Sequence, residues 1–489
     1  MNRLARMVVL TLALLCAFTI GAGAAVARLL PPRLALFQMP EVSGAGLAAP
    51  GATLPAASGS PLTSRSAGGP ATASGIAARI SGIIASGDLG PHVGALVTNL
   101  ATGRVLYASN AATGFTPAST TKLATAVAAL HVLGPDARFT TSVRVGGSAS
   151  RIVLVGGGDP TLAAGRYPVA DYPQPATLRS LAAATARSLR TKGVTAVRLG
   201  YDGALFSGPE QALDWPPIGA SNNYISSGNV APITGLEVDQ GRLAKPGVPQ
   251  DADISGTSLR SLTPALDAAR EFARFLRRDK ITVTGTPAPA AAASAAAVIA
   301  AVSSPSLAQI VQWMLMESNN VIAETLARQV ALTTGRPATF SGAAAAVMSV
   351  DRKLGVTGIH IHDGSGLSPA DLISPRALVA LIVLAARTGQ PGLRPVITGL
   401  PVAGFSGTLT PFPGAYFGGF GPAALGTVRA KTGNLSTVAA LAGIAYARNG
   451  QLLAFAFMGD QLSKKASALA NAGGALTALA TALAGCGCR

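Results

Sequence analysis

Three consecutive runs near the C-terminus leave the chain little choice of structure. "TVRAKTGNL" (427–435), "TVAALAGIAYA" (437–447) and "LLAFAFMGD" (452–460) each read as a β-strand. Asn449-Gly450, between the last two, is a strong signal for a tight hairpin, because both residues tolerate the positive φ that such turns need. An alanine-rich helix is expected to follow over 463–484. With aromatics at 5% and hydrophobic residues at 49%, the core has to be built from Ala, Val, Leu and Ile.

Upstream, "HVGALVTNLATGRVLYASN" (92–110) reads as two strands turning at Ala101-Thr102-Gly103. "FTPASTTKLATAVAALHVLG" (115–134) reads as a helix that begins after Pro117 and stops at Gly134-Pro135. Strands are expected in "RFTTSVRVGG" and "RIVLVGGGDPTL", and helices over 175–192 and 262–280. "TPAPAAAASAAA" (286–297) is a low-complexity loop or join. From Ser306 the pattern is helical again, interrupted by the polar "ESNN" at 317–320.

The N-terminal residues 1–30 have the form of an export segment. Arg3 and Arg6 precede an apolar run, and Ala25-Val26-Ala27 has small-x-small cleavage form. The run is also just long enough to stay uncut as a membrane anchor. Residues 31–75, rich in Pro, Ala, Gly and Ser, read as a disordered tether. The net charge of +17 favours association with anionic surfaces. Nucleic acid is not indicated, since no basic run is interleaved with aromatics. The three cysteines, Cys16, Cys486 and Cys488, provide neither a disulfide framework nor a zinc cluster; the last two read as bystanders on a tail. His92 and His131 read as structural. His360 and His362, alternating before Asp363, read as one exposed strand face rather than a metal site.

Three short patterns carry chemistry. Ser119 and Lys122 lie one helical turn apart, so they share a face. A serine hydroxyl needs a base, and a lysine serves if burial lowers its pKa. Ser318-Asn319-Asn320 places a hydroxyl and carboxamides in an apolar region, which is costly unless they find partners. Lys431-Thr432-Gly433 sits on an expected strand, where the lysine suits a carboxylate and the glycine admits a substrate backbone. Taken singly, each has an ordinary reading as a cap or a solvated lysine. Ser221-Asn222-Asn223 and Ser227-Gly228-Asn229 also fit the middle pattern but lie in a loop-like stretch.

Taken in order, the three patterns resemble the D-alanyl-D-alanine carboxypeptidase/endopeptidase penicillin-binding proteins of low molecular mass, class C. Ser119 and Ser318 are 199 positions apart, which suits that family's inserted domains. "VGGGDPTL", "HDGSGLSP", "SGTLT" and "VRAKTGNLSTVAALAG" also look like it. The resemblance implies an α/β (α+β) fold of the serine β-lactamase/DD-peptidase type, an antiparallel sheet flanked by helices. It implies a catalytic domain in two pieces, 76–140 and 305–485, around an insert of one or two domains at 141–304. Ser119 would be the acylated nucleophile, Lys122 its base and Ser318 a proton relay. Asn320 would bind the substrate amide, and Lys431 and Thr432 the terminal carboxylate beside Gly433. The backbone amides of Ser119 and Asn434 would form the oxyanion hole. Asn434 stands where the family commonly has Thr, and Asn319 where related enzymes often have Asp. No cofactor or metal is implied. The implied partners are peptidoglycan peptides and β-lactams, with membrane association through the N-terminal segment. Two other readings compete: a β-lactamase, which would want a carboxylate shortly after Ser119 to activate water, and a non-catalytic envelope-binding protein.

Overall fold

The computed structural model describes residues 71–148, 150–165, 172–243, 259–412 and 415–488. The export segment expected at 1–30 and most of the expected tether lie outside these residues. Helix α1 (Ala73–Ile84) starts inside the stretch assigned to the tether, because the Thr72 hydroxyl accepts the Gly75 amide at 3.0 Å and caps its first turn.

The first sheet begins with β1 (His92–Asn99) and β2 (Val105–Ser109). A 3-10 turn (Ala118–Thr121) leads into α2 (Lys122–Leu133), which Gly134 ends at φ 83. The chain then builds a second sheet within residues 140–303. Its elements are β3 (Thr140–Val145), β4 (Arg151–Val155), α3 (Leu178–Thr191), β5 (Ala196–Asp202), α4 (Pro264–Arg278), β6 (Thr282–Val283), β7 (Ala288–Pro289) and β8 (Val298–Ser303). It returns through α5 (Leu307–Met316), α6 (Asn320–Thr333), α7 (Phe340–Lys353), β9 (Ile359–His360), β10 (Leu372–Ile373), α8 (Pro375–Ala386) and α9 (Arg394–Thr398). It closes with β11 (Val428–Leu435), β12 (Val438–Tyr446), β13 (Leu452–Asp460) and α10 (Ala466–Ala484).

The first sheet has the order β11-β12-β13-β1-β2, with antiparallel neighbours throughout, so the two ends of the chain form one sheet. The second has the order β6-β5-β4-β3-β8, with β7 also on β5. Its β4–β5 and β5–β6 pairs are parallel, and α3 and α4 supply the crossovers that parallel strands require.

The first sheet is covered on both faces, and β13 shows how the pleat divides them. Leu453, Phe455 and Phe457 enter the core under α1 and α10, while Ala454, Ala456 and Met458 enter the core shared with the central helices. β12 follows the same rule: Ala440 and Ala442 face the helices, and Ala439 and Leu441 face away from them. Small residues on one face let the helices approach, and large ones fill the other. Helix α2 is buried continuously from Lys122 to Leu130 and packs on α5, α6, α7 and α8. A helix apolar on all sides is stable only inside such a bundle.

Helix α10 is apolar and long enough, by composition, to cross a membrane; here Leu476, Leu479, Ala480 and Leu483 are buried in the core beside the sheet. Cys486 and Cys488 correct the reading of a bystander tail. Both are buried in that core, where the end of α10 is tied to the β12–β13 turn by the Arg448 amide, which donates to Ala484 O at 3.1 Å. Ala456→Leu forces three extra carbons against the helical layer. The substitution is expected to lower stability by about 1–3 kcal/mol in urea unfolding. An unchanged midpoint would contradict the packing described here.

Candidate active site

Ser119 stands in the 3-10 turn rather than in the α-helix that the sequence suggests, and Lys122 is the first α-helical residue. The tighter turn follows from Ala118, which is buried in the left-handed region at φ 47. Such a conformation costs a non-glycine residue on the order of 1–3 kcal/mol and persists only where neighbours enforce it. Two close backbone approaches supply that enforcement. A Cβ on Gly366 would fall 1.9 Å from Ala118 O, and a Cβ on Gly433 would fall 2.5 Å from Pro117 O. The turn is thus gripped by the loop after β9 on one side and by β11 on the other. Thr120 closes it from within, its hydroxyl donating to Pro117 O at 2.7 Å.

The Lys122 amine is fully buried. Its Nζ lies 2.8 Å from Ser119 Oγ, 2.7 Å from Asn320 Oδ1 and 2.7 Å from the Ser365 carbonyl. The last two are pure acceptors. Once the amine is neutral, two of its N–H bonds are committed to them and its lone pair is left facing the serine hydroxyl. Burial lowers the Lys122 pKa to about 7, against the opposing pull of Asp363, Glu324 and Asp371. A neutral base is therefore abundant at neutral pH.

Ser318 lies in the break between α5 and α6, also left-handed at φ 56. Asn319 explains the break: it is the N-cap of α6, its side chain accepting the Ile322 amide at 3.0 Å and donating to Gln240 Oε1 at 2.8 Å. Asn320 starts the helix; its Nδ2 donates to Asn229 O at 2.9 Å. Lys431 Nζ donates to Ser318 Oγ and to the Thr432 carbonyl, each at 2.9 Å. Burial holds the Lys431 pKa well below the usual lysine value, and the nearby Lys122 adds to the effect. Thr432 Oγ1 donates to Thr408 Oγ1 at 2.9 Å, in the "SGTLT" stretch. Gly433 lies against the Ser119 turn, and the Asn434 side chain is exposed on the same strand.

The structure thus brings together Ser119, Lys122, Ser318, Asn320 and Lys431 with the strand Thr432-Gly433-Asn434. Of the other two Ser-x-Asn matches, Asn223 is a buried turn residue and Asn229 contributes only a carbonyl. Reading the sequence missed the support beneath Lys122. Asp363 and Glu324 are buried carboxylates that accept backbone amides of Gly364, Ser365, Gly366 and Ser368, and so shape the loop that offers Ser365 O. Burial raises the pKa of both; Asp363 raises that of Glu324 further, and Asp214 that of Asp363. The signal was "HDGSGLSP", noted only as a likeness. His362 is tied to the same loop by its amide, which donates to Asp371 Oδ1 at 2.7 Å. His92 Nδ1 lies 2.5 Å from Asp460 Oδ1, and its ring stacks on Phe115.

A serine hydroxyl 2.8 Å from a buried amine, on a 3-10 turn gripped by β11 of an antiparallel sheet, is an arrangement suited to a serine-type peptidase. The chain matches the D-Ala-D-Ala carboxypeptidase 3 (S13) family over residues 76–246 and 242–482, and it belongs to that family. A carboxypeptidase of Mycobacterium tuberculosis is 38% identical over 427 residues, 85% of each chain. A D-alanyl-D-alanine carboxypeptidase of an Actinomadura species is 30% identical over 435 residues, covering 73% of this chain and 76% of the relative. The fold is similar to penicillin binding protein 4 of Haemophilus influenzae, with a TM-score of 0.64, 22% identity, and coverage of 83% of this chain and 98% of that one.

Two outcomes follow from this geometry. With Lys122 as the base proposed below, only its neutral form accepts the Ser119 proton, so acylation should be lost as pH falls through about 7 and be complete above it; a stopped-flow pH profile flat from 5 to 9 would contradict this. Gly433→Ala puts a carbon where Pro117 O stands and must push β11 from the turn. Acylation is expected to slow roughly 100-fold with the circular dichroism spectrum unchanged; an unimpaired rate would show that the approach does not matter.

Proposed function

We propose that the protein cleaves D-alanyl-D-alanine ends and cross-bridges of peptidoglycan stem peptides through an acyl-serine on Ser119, and that β-lactams acylate the same residue. The observation that carries this reading is the arrangement of Lys122, whose two fixed acceptors leave its lone pair on the serine hydroxyl. Neutral Lys122 takes the Ser119 proton as Oγ attacks the carbonyl of the penultimate D-alanine. The oxyanion that forms is held by the amides of Ser119 and Asn434; one such donor is worth on the order of 10²–10³ in rate. Collapse breaks the peptide bond: the leaving amine takes a proton from the Ser318 hydroxyl, which Lys431 hydrogen-bonds, and the proton that Lys122 took from Ser119 passes to Ser318, so that both groups are restored. Water then hydrolyses the ester and restores the serine.

Lys431 and the Thr432 hydroxyl hold the terminal carboxylate. That anion also favours the charged form of Lys431 against its burial. Asn320 keeps one N–H for the substrate amide after giving the other to Asn229 O. The carboxylates beside Lys122, Glu324 and Asp363, are occupied by backbone amides, which favours a long-lived penicillin adduct over rapid deacylation. The six-stranded sheet within residues 140–303 supports an insert dividing the catalytic domain in sequence. Arg3, Arg6 and the apolar run after them support work outside the cytoplasm, with the N-terminal segment as anchor or leader and the +17 charge favouring an anionic envelope.

Incubation with a pentapeptide ending in D-alanyl-D-alanine should release D-alanine, and Ser119→Ala should reduce release by roughly 10⁴-fold or more. Labelled penicillin should leave a lasting mass increment on the peptide containing Ser119. Release that persists in the variant, or penicillin turned over without an adduct, would refute the assignment.

A further inference from the structure

The Asp363 carboxylate sits at the junction between the catalytic base and a distant part of the chain. Its Oδ1 accepts the Gly366 amide at 2.7 Å and the Ser365 amide at 3.1 Å. The carbonyl of the peptide group that contains the Gly366 amide is Ser365 O, the acceptor that holds Lys122 Nζ at 2.7 Å. One peptide group therefore stands between carboxylate and amine, its N–H on the first and its C=O on the second. Hydrogen bonds in such a chain polarise one another, so a charged carboxylate makes Ser365 O a stronger acceptor. Asp363 Oδ2 accepts the Ser368 amide at 2.7 Å and the Trp215 indole N–H at 2.8 Å. Four donors converge on this buried group, and those of Trp215, Gly366 and Ser368 oppose the burial that raises its pKa.

Trp215 comes from the segment between β5 and α4, far from Asp363 in sequence. It is 3% exposed and packs edge-on against Tyr224 and Phe340. The residue before it, Asp214, accepts the Ser368 hydroxyl, so two consecutive residues of this segment grip the loop that holds the base.

We propose that Trp215 and Asp363 are positioning residues for Lys122: the indole N–H secures the Asp363 carboxylate on the Ser365–Gly366 peptide, and that peptide's carbonyl fixes the amine toward Ser119. The inference rests on the reading of Lys122 as the base. Other charges also face these groups. Lys122 is opposed by Glu324 on α6, Asp371 before β10 and Lys431 on β11. Asp363 is faced by Glu324, Asp214 and Tyr224, and Glu324 by Arg328, which in turn faces Glu210. Losing the Asp363 charge leaves the Lys122 ammonium less stabilised, so the base becomes neutral at lower pH and is held less firmly.

The test is the second-order rate of Ser119 acylation by a labelled penicillin, measured from pH 5 to 9 on the full chain. Trp215→Phe keeps the ring and removes only the N–H. Its acid limb should move down by on the order of half a pH unit, and its plateau should fall roughly 10-fold. Asp363→Asn should move the limb by about 1 unit or more in the same direction. A structural role alone would lower the rate equally at every pH. If Asp363→Asn does not fold, Trp215→Phe decides. A limb unmoved in Trp215→Phe, with an unchanged melting curve, overturns the inference while leaving Lys122 as the base. A wild-type profile with no acid limb would instead refute the reading of Lys122.

Discussion

The burial of one amine organises this molecule. Lys122 lies at the start of a helix packed from all sides, where a charged ammonium is expensive and a neutral amine is not. Burial therefore favours the neutral amine that the proposed base requires, and also imposes the need for fixed acceptors. Those acceptors come from Asn320 on α6 and from Ser365 after β9, so the two segments must converge on the start of α2. The left-handed Ala118 and Ser318, and the glycines at 366 and 433 that permit backbone contact, are consequences of that convergence.

Much of the catalytic sheet was legible in the sequence. The β11, β12 and β13 runs, the turn at Asn449-Gly450 and the β1–β2 pair appear as expected; both faces of that sheet are buried, which makes β12 and β13 nearly unbroken apolar runs. Ser119, Lys122, Ser318, Asn320 and Lys431 were legible as residue types in a particular order. What could not be read was conformation. A buried left-handed alanine has no composition signal, since tertiary contacts impose it. Nor were the roles of the Asp363 and Glu324 carboxylates legible, because most of their hydrogen-bond partners are backbone amides, which carry no residue-type signal. Cys486 and Cys488 misled for a related reason: burial there depends on the chain returning to the sheet after α10.

The site also explains why Asn320 is an asparagine. It must accept from an amine through one atom and donate through the other, and only a carboxamide does both at fixed geometry. Aspartate would add a charge beside Lys122 and hold it protonated. The second lysine works in the opposite sense. Lys431 is disfavoured as a cation while the cleft is empty, and a substrate carboxylate would restore its charge, so binding and charging are linked.

Direct titration of Lys122 in the resting enzyme bears most immediately on this account. The chain has only eight lysines, so ¹³C- or ¹⁵N-labelled lysine with a Lys122→Arg spectrum for assignment isolates its signal in NMR. The account requires that signal to titrate near pH 7. A Lys122 resonance that stays that of an ammonium up to pH 10 would mean that no neutral amine faces Ser119, and would contradict it.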